Sequence, residues 1–221
     1  MRRWRTTLLA AAALLATPAF AQSTVSEAER LVFLHDHLAG SRHAQTLRYR
    51  YVEEAEGQSR VVDEATVALS DGAGRRCCDV HGEYLSGLLR VQLPDIPDAH
   101  GNPVLLYFLE GEVRRLQRTT NGQAAHFRRR IRQALADAAS VSEGTIRWAG
   151  ATVPTHVVQV TPFRDDPYRA RFAEQAATEY AFVLSDAVPG GVYQVTATLP
   201  APGGGSAPAA RRSLTLEETK P

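Results

Sequence analysis

Two adjacent cysteines followed by a carboxylate and an imidazole form the most chemically loaded stretch of this sequence, RRCCDVH at residues 75–81. Thiol, carboxylate and imidazole groups bind transition metals, and thiols carry redox chemistry. Structural zinc sites commonly use a C-x₂-C pair, whereas Cys77 and Cys78 are immediate neighbours. The spacing therefore disfavours a metal site in this stretch.

A disulfide between neighbouring cysteines is also geometrically awkward. Consecutive Cα atoms lie about 3.8 Å apart, below the roughly 4.4 Å lower end of the range for disulfides. Successive side chains of a strand point to opposite faces, so we expect one small buried cysteine and one exposed or modified thiol. Cys77 and Cys78 stay redox candidates, either through a strained, easily reduced bridge or through a bond to another chain.

A second group of metal-ligand side chains lies near the N-terminus, where His35, Asp36 and His37 are followed by His43. Helix positions two apart point in nearly opposite directions, so the imidazoles of His35 and His37 cannot both reach one ion. Histidines at the end of a helix are instead stabilised by the negative pole of its dipole. We therefore expect no metal site and no bound cofactor.

Familiar catalytic motifs are missing from the sequence: H-E-x-x-H, G-x-S-x-G, the P-loop and a complete G-x-G-x-x-G. Asp165 and Asp166 resemble a catalytic carboxylate pair, but carboxylates just before Pro167 are typical helix caps. We therefore name no catalytic residue and expect a protein that is not an enzyme. A hydrolase with dispersed catalytic residues stays open as an alternative.

Seven arginines concentrate in the central part of the chain, although its formal net charge is only +1. They are Arg114, Arg115, Arg118, Arg128, Arg129, Arg130 and Arg132. The favoured interpretation is a solvated helix face with carboxylate neighbours. The functional alternative is a surface that binds phospholipid headgroups, lipopolysaccharide phosphates or an acidic protein, because the planar guanidinium group suits phosphate.

The first 21 residues have the pattern of a secretory signal peptide, with basic residues, an apolar run from Leu8 to Leu15 and small residues at Ala19 and Ala21. The run is shorter than the ~20 residues that span a bilayer, so we expect cleavage and no transmembrane segment in the mature chain. Without the signal's arginines the chain is slightly acidic, which argues against nucleic acid as a partner. The arginine- and alanine-rich composition is typical of GC-rich bacterial genomes, so we expect a periplasmic protein.

The pattern of apolar residues predicts the elements that position these groups. A capping box formed by Ser26 and Glu29 starts a short helix. Alternating apolar residues then predict strands, and helical spacing predicts two helices, the second starting with a capping box at Thr120 and Gln123. The predicted strands cover 46–51, 61–69, 76–80, 85–93, 146–148, 152–161, 180–184 and 192–199, and the two helices cover 103–116 and 120–138. A short helix is predicted from Asp165 to about Gln175.

Strands in blocks around a helical hairpin indicate an α+β domain. We predict a strongly curved antiparallel sheet, an incomplete barrel, whose concave face is covered by the N-terminal helix and the hairpin. The predicted domain covers 22–200. Residues 201–221 are predicted to form a flexible segment with a possible edge strand at Leu214 and Leu216, and a tail.

This order of elements resembles the LolA-like fold of periplasmic lipoprotein carriers. The segments GNPVLLYFLEGEVRRL and LSDAVPGGVYQV also resemble segments of uncharacterised secreted bacterial proteins. The first resemblance implies a binding or carrier module for a hydrophobic or amphipathic envelope molecule, of the lipid or lipoprotein class. We expect this module to be a monomer.

In such a carrier, Tyr49, Tyr51, Trp148 and Phe182 would line the ligand cavity, although aromatic residues at these positions also suit a plain core. The alternative is an envelope scaffold whose basic hairpin docks another envelope protein.

Overall fold

The computed structural model describes residues 25–41, 44–72 and 78–218, so the predicted signal peptide, His43 and Cys77 lie outside the described residues. Within that part of the chain, eight strands form one antiparallel sheet. They are β1 (Gln45–Ala55), β2 (Val61–Ser70), β3 (Asp79–Tyr84), β4 (Ser140–Trp148), β5 (Ala151–Val160), β6 (Glu179–Leu184), β7 (Val192–Leu199) and β8 (Ala210–Leu216).

The helices of the described chain lie before, between and within the strand blocks. They are α1 (Glu27–Glu29), which continues as a π-helical turn (Arg30–Leu34), α2 (Val104–Thr120), α3 (Ala124–Asp137) and α4 (Ala173–Ala176), with 3₁₀ turns at Gly87–Leu89, Arg169–Phe172 and Pro202–Gly204. Residues 27–34 are called the N-terminal helix below. The short helix predicted from Asp165 therefore begins later, at the 3₁₀ turn before α4.

The strand order is β3-β2-β1-β8-β7-β6-β5-β4, and the sheet is curved and unclosed. One meander (β1 to β3) and a second (β4 to β7) lie on the two sides of β8. This arrangement confirms the predicted α+β fold with an open antiparallel sheet.

The predicted placement of the last strand at an edge is wrong, because β8 joins the two meanders at the centre of the sheet. Leu214 pairs with Tyr51 of β1 on one side and with Val195 of β7 on the other. All three side chains are buried. The sheet therefore depends on a strand that lies more than 150 residues from its neighbour β1 along the chain.

The predicted strand over 85–93 is also wrong. The backbone turns at Leu85, which has a φ of 56°, and continues as a 3₁₀ turn in which Leu88 is 98% exposed. Val91 keeps only a single bridge to Tyr84. The apolar alternation reflects the burial of Leu85 and Val91, not a continuous strand.

The first helix starts as predicted, since the Ser26 hydroxyl accepts a hydrogen bond from the backbone of Glu29 and the Glu29 carboxylate accepts one from the backbone of Ser26. The second predicted capping box is wrong. Thr120 still belongs to α2 and its hydroxyl donates to the carbonyl of Leu116 at 2.7 Å. The helix ends at Asn121, which adopts a left-handed conformation, and α3 begins after Gln123.

One face of the sheet packs against α2 and carries the core. Its largest fully buried side chains are Tyr49, Tyr107, Tyr180, Phe108, Phe127, Phe163 and Phe182. This face of the sheet is therefore occupied by the protein's own aromatic side chains.

Candidate functional site

An open groove of about 800 Å³ lies between the N-terminal helix, α2 and α3, outside the aromatic core. Its apolar lining consists of Val25, Phe33, Leu34, Leu93, Leu106, Leu109, Val113 and Ile131. Its charged lining consists of Glu29, Glu110, Arg114, Arg128 and Arg132. We call this feature the helical groove.

The groove exists because α2 carries apolar residues on more than one face. Leu105, Phe108 and Leu116 are fully buried. A second apolar row starts at Leu106 and continues at positions 109 and 113. This is the i, i+3, i+7 spacing of a helix stripe. The sheet covers the first row, whereas the second forms a wall of the groove.

Three groove residues expose large apolar side chains to solvent. Val25 is 56% exposed, Leu34 63% and Leu106 52%. Among the described residues only seven large apolar side chains are exposed, so three of them fall within one groove. Clustered exposure of this kind is typical of binding surfaces, whereas scattered exposed leucines are not.

The charged rim of the groove is organised by Glu110. Its carboxylate accepts two hydrogen bonds from Arg128, at 2.9 Å from Nε and 2.7 Å from Nη2, and one from Nε of Arg114 at 3.3 Å. The hydrogen bonds from Arg128 are the main reason that the pKa of Glu110 is lowered, so Glu110 is ionised at neutral pH. Arg132 is exposed at the same rim.

The seven arginines do not form one surface. Arg114, Arg128 and Arg132 line the groove, whereas the other four lie elsewhere. Arg115 binds Glu112 and Gln175, Arg130 approaches the buried Asp166 at 3.3 Å, Arg129 contacts the ring of His126, and Arg118 is exposed. Four of the seven arginines (114, 115, 128 and 130) have carboxylate neighbours, but Arg115 and Arg130 are mostly buried and do not belong to a solvated face.

The aromatic residues predicted to line a ligand cavity do not line the groove. Tyr49, Tyr51 and Phe182 are buried in the core, and Trp148 packs edge to face against Tyr193. The hydroxyl of Tyr49 donates to the carbonyl of Val192 at 3.2 Å. Their alternation in strands marks the buried face of the sheet, which is the plain-core interpretation.

Of the cysteine-containing stretch at 75–81, the structure describes only the residues from Cys78 onward. Cys78 is fully buried, as expected for one of the two cysteines, but it is disulfide-bonded instead of being a plain thiol. His81 pairs with Asp95 at 2.7 Å on the surface. In the described part of the chain, no group of three His, Cys, Asp or Glu side chains is placed to hold a metal ion.

His35 and His37 follow the N-terminal helix instead of lying within its last turn, because the helix ends at Leu34. His35 pairs with Asp186 at 2.8 Å. His37 is buried, and its Nε2 lies 2.9 Å from the carbonyl of Leu31 while its Nδ1 accepts the backbone N–H of Asn102. These contacts connect the end of the helix to the loop before α2.

The sequence contains one signal for the groove, which single-face helix patterns do not use. The doubled apolar rows of α2 are visible in the segment VLLYFLEGEV at 104–113. A helix with so wide an apolar face needs a second covering element, and the N-terminal helix covers it only in part. Which residues of α3 complete the groove depends on long-range packing.

None of the described helices is both long enough and apolar enough to cross a membrane. No protein-family model matches the chain, and no curated protein matches it. Among solved structures, the lipoprotein LppX of Mycobacterium tuberculosis is similar at 9% sequence identity and a TM-score of 0.35, with 86% of this chain and 91% of LppX covered.

Proposed function

We propose that this protein binds a hydrophobic or amphipathic molecule of the bacterial envelope and carries it as a soluble complex, with the apolar chain of the molecule in the helical groove. The observation that supports this proposal is the groove, which is open, apolar over most of its lining and edged by the exposed side chains of Val25, Leu34 and Leu106. Its volume is in the range of small-molecule sites. The proposed location is the periplasm.

The driving force for binding would be the burial of the apolar chain. Each methylene group removed from water contributes about 0.8 kcal/mol. A chain of ten methylenes thus supplies up to about 8 kcal/mol, before the entropic cost of immobilising the ligand. Micromolar affinity needs a net binding free energy of about this size. Weaker binding would still let the carrier take up its ligand at one surface and release it at another.

We propose binding without catalysis. The groove lining contains no serine, cysteine or histidine in the described residues. Elsewhere, His126 pairs with the buried Asp166 at 2.8 Å, as in a catalytic dyad, but its other ring nitrogen faces Arg129 instead of a hydroxyl or thiol. The hydrolase alternative therefore has little support.

The scaffold alternative, docking of a partner protein through the arginine-rich hairpin, is also weakly supported. Arg115 and Arg130 are mostly buried and bound to carboxylates within the molecule. They are not available to an acidic partner. We also propose that the carrier is a monomer, since one chain supplies all three walls of the groove.

A fluorescence titration tests the proposal. The neutral dye N-phenyl-1-naphthylamine brightens in apolar sites, and we expect saturable binding to the wild-type protein. Leu106→Glu places a carboxylate in the groove and should weaken binding at least tenfold, because ionised groups are strongly disfavoured in apolar surroundings. Leu88→Glu is the matched control, since Leu88 is fully solvated outside the groove.

Circular dichroism and urea midpoints should show that both variants fold like the wild type, because both leucines are already exposed. The proposal fails if the wild-type protein does not bind the dye, or if Leu106→Glu binds it as tightly as Leu88→Glu does.

A further inference from the structure

We infer that the molecule held in the helical groove has a singly charged anionic head, and that Arg132 receives it at the groove rim. This inference rests on the proposed function and narrows its ligand class to anionic lipids. The apolar lining accounts for the chain of the ligand, whereas the charged lining has to be matched by its head. Three arginines face two carboxylates at the rim, which leaves one positive charge.

The carboxylate of Glu110 cannot neutralise the rim by itself. It accepts hydrogen bonds from two guanidinium groups, two from Arg128 and one from Arg114. This group of three side chains therefore keeps one positive charge. Glu110 also fixes the position of both arginines, so their charge is held at the groove instead of being spread through solvent.

Arg132 adds a second positive charge and has no hydrogen bond or ion pair with any described residue. It follows Arg128 by four positions on α3, so both side chains leave the same face of the helix. Like charges at this spacing repel each other by about 0.2–0.5 kcal/mol. An anion between them would relieve that repulsion and accept charge-assisted hydrogen bonds.

The remaining charge, Glu29, lies on the opposite wall and is engaged in the capping box with Ser26. It faces the groove from the N-terminal helix and reduces the excess at the rim to a single positive charge. A cationic head would meet the arginines at an energetic cost, and a neutral head would leave them unmatched. A carboxylate or phosphodiester head carries the charge that fits.

Three ligands with the same twelve-carbon chain test this inference by displacement of N-phenyl-1-naphthylamine: dodecanoate, dodecanol and dodecyltrimethylammonium. For the wild-type protein we expect dodecanoate to bind about tenfold more tightly than dodecanol, since hydrogen bonds to charged groups are the stronger class. The cation should bind most weakly. Arg132→Gln should reduce the preference for dodecanoate to about threefold or less, while dodecanol binds as before.

Arg118→Gln is the matched control, because Arg118 is an exposed arginine of the same hairpin outside the groove. It should keep the full preference. Equal binding of dodecanoate and dodecanol to the wild type, or an undiminished preference in Arg132→Gln, overturns the inference and leaves the proposed function standing. If none of the three ligands displaces the dye, the proposed function itself fails.

Inorganic phosphate separates a lipid head from a free anion. We expect no competition with dodecanoate from millimolar phosphate at constant ionic strength, because phosphate lacks the chain that fills the groove. Competition at micromolar phosphate would show that the rim binds free phosphate, and it would overturn the assignment to a lipid.

Discussion

Arg212 of β8 donates two hydrogen bonds to the carboxylate of Glu112 on α2, one to each oxygen, at 2.6 Å from Nε and 3.0 Å from Nη2. Both side chains are buried, and Arg115 adds a further ion pair at 3.1 Å. Burial opposes the ionisation of Glu112, but Arg115 and Arg212 outweigh it and lower its pKa to about 2. The contact ties a wall of the helical groove to the central strand of the sheet.

We expect Glu112→Gln to lower the free energy of unfolding by about 3–5 kcal/mol, because it leaves two guanidinium groups near the core without a counter-charge. Urea denaturation measures this change. Arg211→Gln is the control, since Arg211 is the exposed neighbour on β8, and it should change stability by less than about 0.5 kcal/mol. A Glu112→Gln protein as stable as the wild type would show that the ion pair does not hold α2 on the sheet.

Acid should destabilise the fold through His37. Burial is the main cause that lowers the pKa of His37 to about 4 from its ordinary value of 6.5, and nearby His35 adds to it. Protonation would also turn the Nδ1 acceptor into a donor that faces the N–H of Asn102. As the pH falls below 6.5 the unfolded chain takes up this proton first, so stability is lost between pH 6.5 and about 4.

The loss attributable to His37 is about 3 kcal/mol over that range. Free energies of unfolding at pH 7, 5.5 and 4 measure it. A His37→Gln variant should show a shallower pH dependence, whereas His81→Gln, which changes an exposed histidine, should follow the wild type. Parallel curves for wild type and His37→Gln would contradict the assignment.

Much of the fold follows from local patterns, and its long-range pairing does not. The Ser26 capping box and the apolar stripes of α2 and α3 depend on residues within a few turns of each other, so the sequence predicts them. The central position of β8 could not be read from its seven residues, because an apolar alternation looks the same at the edge and at the centre of a sheet. In the sequence, Arg212 indicates a solvent-exposed strand, because its buried partner Glu112 lies 100 residues away.

The candidate site was predictable only in part. The sequence indicates Arg114, Arg128 and Arg132 as anion-binding candidates, but it indicates four arginines outside the groove equally. The sequence does not distinguish whether Tyr49 and Phe182 line a cavity or fill a core, because aromatic residues suit both. The groove is formed by three elements that come together through tertiary packing. The apolar pattern of one element does not show which other elements it contacts.

Affinity should rise with the length of the ligand chain. Each added methylene buried in the groove contributes up to about 0.8 kcal/mol, which is about a fourfold gain in affinity. Displacement titrations with saturated fatty acids of eight to fourteen carbons, kept below their critical micelle concentrations, measure the slope. A flat series would mean that the chain lies outside the groove.

The charge of the rim should be adjustable through Glu110. Glu110→Gln removes the carboxylate shared by Arg114 and Arg128, and we expect dodecanoate to bind about threefold to tenfold more tightly. Glu143→Gln, at an exposed position of β4, removes the same charge at a distance and should change the affinity little. Equal effects of the two variants would indicate long-range electrostatics instead of a local rim.

Native mass spectrometry of the protein purified from its own host tests the central claim most directly. We predict that the wild type and Leu88→Glu carry a bound species with the mass of an anionic lipid, and that Leu106→Glu has only the mass of the bare chain. A bare chain in all three samples, or the same lipid in all three, would contradict the groove as the binding site.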